Sequence, residues 1–145
     1  MLNGELMVAA LKTNVVSEKS YSFAIKVVQL ARSLREKHEF ELASQLLPCG
    51  TSIGANVEEA QSGVSRADFV AKMAIASKEA RETHYWLRLA RDSRILSNEQ
   101  VAPRIEEVHE LVRILTAIVK TSQRAASSKL KIHHSQLNIA KVPHV

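Results

Sequence analysis

The stretch VAPRIEEVHELVRILTAIV, residues 101–119, decides the fold class. Val101, Ile105, Val108, Val112, Leu115 and Val119 recur at alternating steps of four and three, the spacing that places side chains on one face of an α-helix. Leu111 and Ile118 widen that stripe, so the helix must face more than one neighbour. Ser97 and Gln100 just upstream have the spacing of a capping box, and Pro103 predicts either a late start or a kinked first turn.

Working outward, the same period appears three more times. Phe23, Val27, Leu30 and Leu34 mark a helix beginning at Ser20, and the chain must turn around His38–Phe40. A second helix covers about residues 41–62, with Leu42, Leu46, Ile53, Val57 and Ala60 facing inward. Gly50 and Gly54 share one face of it and allow another helix to approach closely. Pro48 predicts a kink near Ser44–Pro48 or a helix start there, and Gly63 supplies a stop. The third helix opens on Ser65 as N-cap with Asp68 in its first turn, where the helix dipole favours an acid. Phe69, Met73, Ala76, Ala80 and Leu87 form its inward stripe, broadened by Val70, Ala74 and Leu89, and it runs to about Asp92. The last helix ends near Arg124, with Ser127–Ser128 opening a tail.

Composition agrees with an all-α class. Four Gly, three Pro and 4% aromatics among 145 residues favour long helices over turns, and no stretch alternates cleanly as a strand would. Four amphipathic segments joined by short connections predict an antiparallel four-helix bundle. Its expected organisation is an N-terminal extension over 1–19, a bundle over 20–126 and a basic tail over 127–145.

Charge is unevenly placed. Residues 1–119 carry fifteen Lys/Arg against fifteen Asp/Glu, whereas 120–145 carry Lys120, Arg124, Lys129, Lys131 and Lys141 with no acid, together with His133, His134 and His144. The whole net charge of +5 therefore sits at the C-terminal end. Such a tail either attracts polyanions or serves as a solvated terminus. Cys49 is the only cysteine, which excludes an intramolecular disulfide and fits a buried inert thiol. With no signal-peptide pattern and no apolar run near the ~20 residues that span a bilayer, a cytoplasmic protein is expected, with no membrane partner.

The run SIGANVEEA (52–60), then Ser65, Asp68 and Phe69, then AIASKEARETHYWL (74–87) and ELVRILTAIVK (110–120), strongly resembles the 23S rRNA intervening-sequence proteins, also called four helix bundle proteins. The resemblance covers about residues 22–124. It implies an up-down-up-down bundle that assembles with copies of itself into a ring-shaped homopentamer with a central channel. The family is distantly similar to the accessory proteins of diversity-generating retroelements, which are basic pentamers that bind nucleic acid and a reverse transcriptase. No enzymatic activity comes with it. Pro48, Pro103 and the tail after Arg124 depart from its pattern.

Candidate chemistry is sparse. Glu106 and His109 form one Glu-x-x-His pair, but a di-metal bundle needs two, so no metal or other cofactor is expected. Glu59, Glu79 and Glu82 converge if the second and third helices pack side by side, and in the absence of a nucleophile they read as hydrogen-bonding or ion-pairing groups within or between subunits. Asn56 reads as an amide that fixes helix register. Tyr85 and Trp86 are adjacent and cannot face the same core, so one of them should reach an interface. Nucleic-acid contacts fall to Lys72, Lys78, Arg81, Arg88, Arg91 and Arg94 on the third helix and its end, and to Lys129 and Lys131 in the tail. No sequence-reading motif accompanies them. The expectation is a non-enzymatic oligomer that binds RNA or DNA through basic surfaces. The alternative is a scaffold for another protein, with the tail irrelevant.

Overall fold

The computed structural model describes residues 4–139. Helix α1 spans Gly4–Glu36, α2 Phe40–Gln61, α3 Arg66–Asp92 and α4 Asn98–Ile139. No strand occurs among the described residues. Each helix packs beside two others, α1 against α2 and α4, and α3 against α2 and α4. Cross-links fix the directions: Lys19 and Lys26 of α1 pair with Glu110 and Glu107 of α4, and Arg81 and His84 of α3 meet Thr116 and His109 of α4. Rising numbers on one helix meet falling numbers on its neighbour, so the bundle runs up-down-up-down.

The inward stripes are those the period predicts. Phe23, Val27, Leu30 and Leu34, then Leu46, Ile53, Val57 and Ala60, then Met73, Ala76, Ala80 and Leu87, then Val101, Val108, Leu111, Leu115 and Ile118 form one buried core. Leu42, Phe69, Ile105, Val112 and Val119 pack partly buried at its margin. The broadening expected on α3 differs. Ala74 and Leu89 are exposed, and Thr83 and Ala90 are buried instead. A polar residue thus occupies a core position, and Thr83 is satisfied because its hydroxyl donates to the Glu79 carbonyl at 2.7 Å.

Gly50 and Gly54 seat α2 against α1. A Cβ on Gly50 would lie 2.7 Å and 2.8 Å from the two methyls of Val27, and one on Gly54 would lie 3.4 Å from the Ser20 backbone. The absent side chains are what bring these two helices together.

Capping follows the sequence at two of the helix starts. Ser65 Oγ accepts from the Asp68 amide at 3.1 Å. The Gln100 amide donates to Ser97 Oγ at 3.3 Å while Gln100 Oε1 accepts from the Ser97 amide at 3.2 Å, the reciprocal capping box. The ends of α1 and α3 instead use His38 (φ 64°) and Arg94 (φ 62°) in the left-handed region. There the Glu39 and Ile95 amides reach back to the Leu34 and Ala90 carbonyls at 2.9 Å and 3.0 Å, closing Schellman-type caps without glycine.

Helix limits differ from expectation in two places, the start of α1 and the end of α4. The start of α2 at Phe40 and of α4 at Asn98 agree with the expected limits, and both precede their prolines, so neither Pro48 nor Pro103 begins a helix. Around Pro48, the Thr51 hydroxyl donates to the Leu47 carbonyl at 2.7 Å and the Ser44 hydroxyl to the Phe40 carbonyl at 2.7 Å, adding side-chain bonds to the local ladder. Helix α1 begins at Gly4 rather than Ser20, and Val16 is fully buried, so the core extends into the stretch expected to be an extension. Helix α4 continues past Arg124 to Ile139, so 127–139 is helical. No helix of the described residues is long and apolar enough to cross a membrane.

Candidate nucleic-acid interface

Helix α3 turns one edge toward α4, and four cationic or titratable residues stand on it: Arg81, His84, Arg88 and Arg91, spaced three, four and three. Arg81 Nη2 donates to Thr116 Oγ1 at 2.9 Å, which holds the guanidinium across the α3–α4 seam. The His84 ring stacks on that of His109, with centroids 5.6 Å apart and planes inclined by 12°. Partial burial, then the charges of Arg88, His109 and Arg91, push the His84 pKa below its ordinary value. The neutral form of its ring is therefore favoured between Arg81 and Arg88.

The seam continues along α4. Arg113, Lys120, Arg124 and Lys131 are all exposed and follow one another at steps of seven, four and seven. Two turns of α-helix return to nearly the same azimuth, so these four cations form a line about 27 Å long on one side of the helix. Lys120, Gln123, Arg124, Ser127, Ser128 and Lys131 line a shallow cleft along it, offering only cations, hydroxyls and an amide. No Asp or Glu occurs after Glu110 in the chain. The last acids on α4 are engaged elsewhere, Glu107 by Lys26 at 2.6 Å and Glu110 by Lys19 at 2.7 Å, both on α1. Glu106 stands at the foot of the line, in a depression shared with His109 and Arg113.

The structure sorts the candidates named from sequence. Arg81 and Arg88 stand on the α3 edge. Arg91 stands there too but binds Asp92 at 2.8 Å. Lys72 is spent on Glu59 at 2.7 Å across the α2–α3 side, a contact that raises its pKa. Lys78 is exposed on the outward side of α3, and Arg94 sits in the turn after it. Lys131 joins the α4 line, whereas Lys129, about 200° of helical rotation away, points to the opposite side. Lys141 and His144 lie outside the described residues. Reading from composition missed Arg113, Lys120 and Arg124 as a set. The available signal was their spacing of seven and four within the helix expected to end near Arg124; only Lys131 needed the helix to run further.

The residues read as structural have local roles. Asn56 Nδ2 donates to the Ser52 carbonyl at 2.8 Å within its own helix rather than across the bundle. Glu79 and Glu82 both act electrostatically on Cys49, while Glu59 lies two to three turns further along α2 with Lys72, so the three acids do not converge. Glu82 Oε1 accepts from Trp86 Nε1 at 3.4 Å. Trp86 packs against the core and Tyr85 is exposed beside it, their rings edge-to-face at 5.1 Å. Cys49 is buried, and burial pushes its thiol pKa up. Among the described residues no three His, Cys, Asp or Glu side chains gather as a metal site, and His109 is stacked on His84.

An all-α bundle with a basic seam on α3–α4 is the class this geometry defines. The family model for the 23S rRNA-intervening sequence protein matches residues 12–117, and the chain belongs to that family. A solved structure from Bacteroides thetaiotaomicron, described as a protein of unknown function from the S23 ribosomal protein family, is similar to it at 44% identity with a TM-score of 0.72. The similarity covers 75% of this chain and 98% of that one. No curated protein matches. The family match ends before Lys120, so three of the four cations on the α4 line lie beyond it.

Proposed function

We propose that this protein is a non-enzymatic, cytoplasmic homo-oligomer, a ring of five, that binds the phosphate backbone of RNA or DNA through the α3–α4 seam. The observation that carries the reading is the line Arg113–Lys120–Arg124–Lys131, four exposed cations on one side of a helix with no acid after Glu110. Cations in a line contact phosphates, and no base-reading motif accompanies these, so the binding proposed is independent of sequence. Each phosphate neutralised releases counterions, and several copies in one assembly multiply the effect.

The test is the salt dependence of binding to a short structured RNA, for the wild type and for Lys120→Glu/Arg124→Glu. The wild-type affinity should fall steeply with salt. Loss of two phosphate contacts should lower the slope of log affinity against log salt by about 1.5–2. Equal slopes for the two proteins would sink the assignment of this surface.

A second reading has its own observation. Phe40 and Leu89 are exposed and share a groove with Leu42, Trp86 and Ile95, rimmed by Glu39 and Glu41, which favours a protein partner. Salt-insensitive binding of a protein ligand that Leu89→Glu abolishes would support this reading over the first.

A further inference from the structure

Helix α1 differs from the others in being apolar on two faces. Its inner stripe fills the core, yet Tyr21, Ile25 and Val28 are 63%, 46% and 36% exposed on the side turned away from it. They belong to an outward series Glu18, Tyr21, Ile25, Val28, Arg32, Arg35, at steps of three, four, three, four and three. This is the repeat that packs one helix against another in a coiled coil. Glu18, Arg32 and Arg35 are exposed, and among the described residues their side chains make no ion pair or hydrogen bond. A helix bearing a second apolar stripe is one that a partner covers.

The series is self-complementary. When two copies of α1 lie antiparallel about a two-fold axis between residues 26 and 27, each residue faces the one whose number completes 53. Ile25 then meets Val28 of the second copy, and Val28 meets its Ile25, giving a continuous apolar centre. Tyr21 comes beside the second copy's Arg32, ring against guanidinium. Glu18 comes beside its Arg35, acid against base. Every contact occurs twice, as a two-fold interface requires.

We propose that the outward face of α1 is a two-fold self-association surface whose occupant is α1 of a second copy, with an Ile25/Val28 centre flanked by Tyr21–Arg32 and Glu18–Arg35 pairs. The inference rests on the self-assembly part of the function proposed above and specifies a contact for it. It is independent of nucleic acid, because the basic seam lies on α3 and α4. Two rings of five joined in this way make an assembly of ten.

The experiment measures the solution mass of the full chain by light scattering for the wild type, Ile25→Glu, Glu18→Arg and Arg35→Glu. Ile25→Glu should halve the mass. Each charge reversal should weaken the contact about tenfold or more, because two like-charged pairs then face each other. Mixing Glu18→Arg with Arg35→Glu should restore it, since one variant then offers only arginines and the other only glutamates at these positions. Misfolding cannot be cured by mixing, so rescue isolates the interface. An odd number of chains in the wild-type assembly, an Ile25→Glu mass equal to wild type, or failure of the mixture to recover overturns the α1 contact and leaves self-assembly standing. A wild-type monomer overturns both.

Discussion

From Asn98 to Val119 helix α4 is held by its neighbours, and from Lys120 to Ile139 the same helix is almost wholly exposed. In the first part Val101, Val108, Leu111, Leu115 and Ile118 are buried, and Glu107 and Glu110 are tied to lysines of α1. In the second part only Ser122 is buried, Leu130, Ile132, Leu137 and Ile139 face outward, and every charged residue is a cation. One continuous backbone therefore serves two ends. Core packing fixes the position of the first part, and the first part aims the second, setting Lys120, Arg124 and Lys131 in register with Arg113.

The comparison breaks most readily at equivalent leucines. Leu115→Ala, at a fully buried position, should cost about 2–5 kcal/mol of stability. Leu130→Ala, at a position 59% exposed, should stay within about 0.5 kcal/mol. Denaturant melts of both variants check this, and a similar loss at the two sites would mean that the second part of α4 is packed after all. Gly50→Ala is next, at about 1–3 kcal/mol, because the new methyl would press on Val27 inside a close-packed seam. A neutral result there would show that α1 and α2 have room to separate.

Smaller effects sharpen the picture at the helix ends and on the seam. His38→Gly should stabilise the protein by about 0.5–1 kcal/mol, since glycine takes the left-handed conformation without a Cβ penalty. A thermal melt that fails to rise would place that turn in another conformation. The pKa of His84 is depressed in the folded protein by burial and by Arg88, His109 and Arg91. The unfolded chain therefore binds the proton more readily, so stability should fall as pH drops below about 6.5 toward the folded value. His84→Gln should flatten that part of the profile, and an unchanged profile between pH 7 and 5 would assign the titration elsewhere.

How far the sequence foretold this structure depended on whether a signal was local. Ser65 with Asp68, and Ser97 with Gln100, needed only a few residues and were legible, as were the stripes through Phe23 and Val101. The start of α1 was not, because Met7, Val8, Leu11 and Val15 lie away from its inward stripe and blur the single-face period. The course of α4 beyond Arg124 was hidden by Ser127–Ser128, which read as a break although serine only weakly opposes a helix. The candidate interface suffered accordingly. Lys72 looked free until α2 brought Glu59 to it, and Lys131 joined Arg113, Lys120 and Arg124 only through the continued helix. A tertiary partner or a helix end several turns away leaves no mark in the residues beside it.

The central claim, self-assembly that displays the basic seam to nucleic acid, is tested most directly by light-scattering mass with and without a short structured RNA at low and moderate salt. The expected mass is that of ten subunits, two rings of five paired through α1, rising when RNA is added at low salt and returning as salt is raised. A 16.1 kDa monomer whose mass RNA leaves unchanged would contradict it.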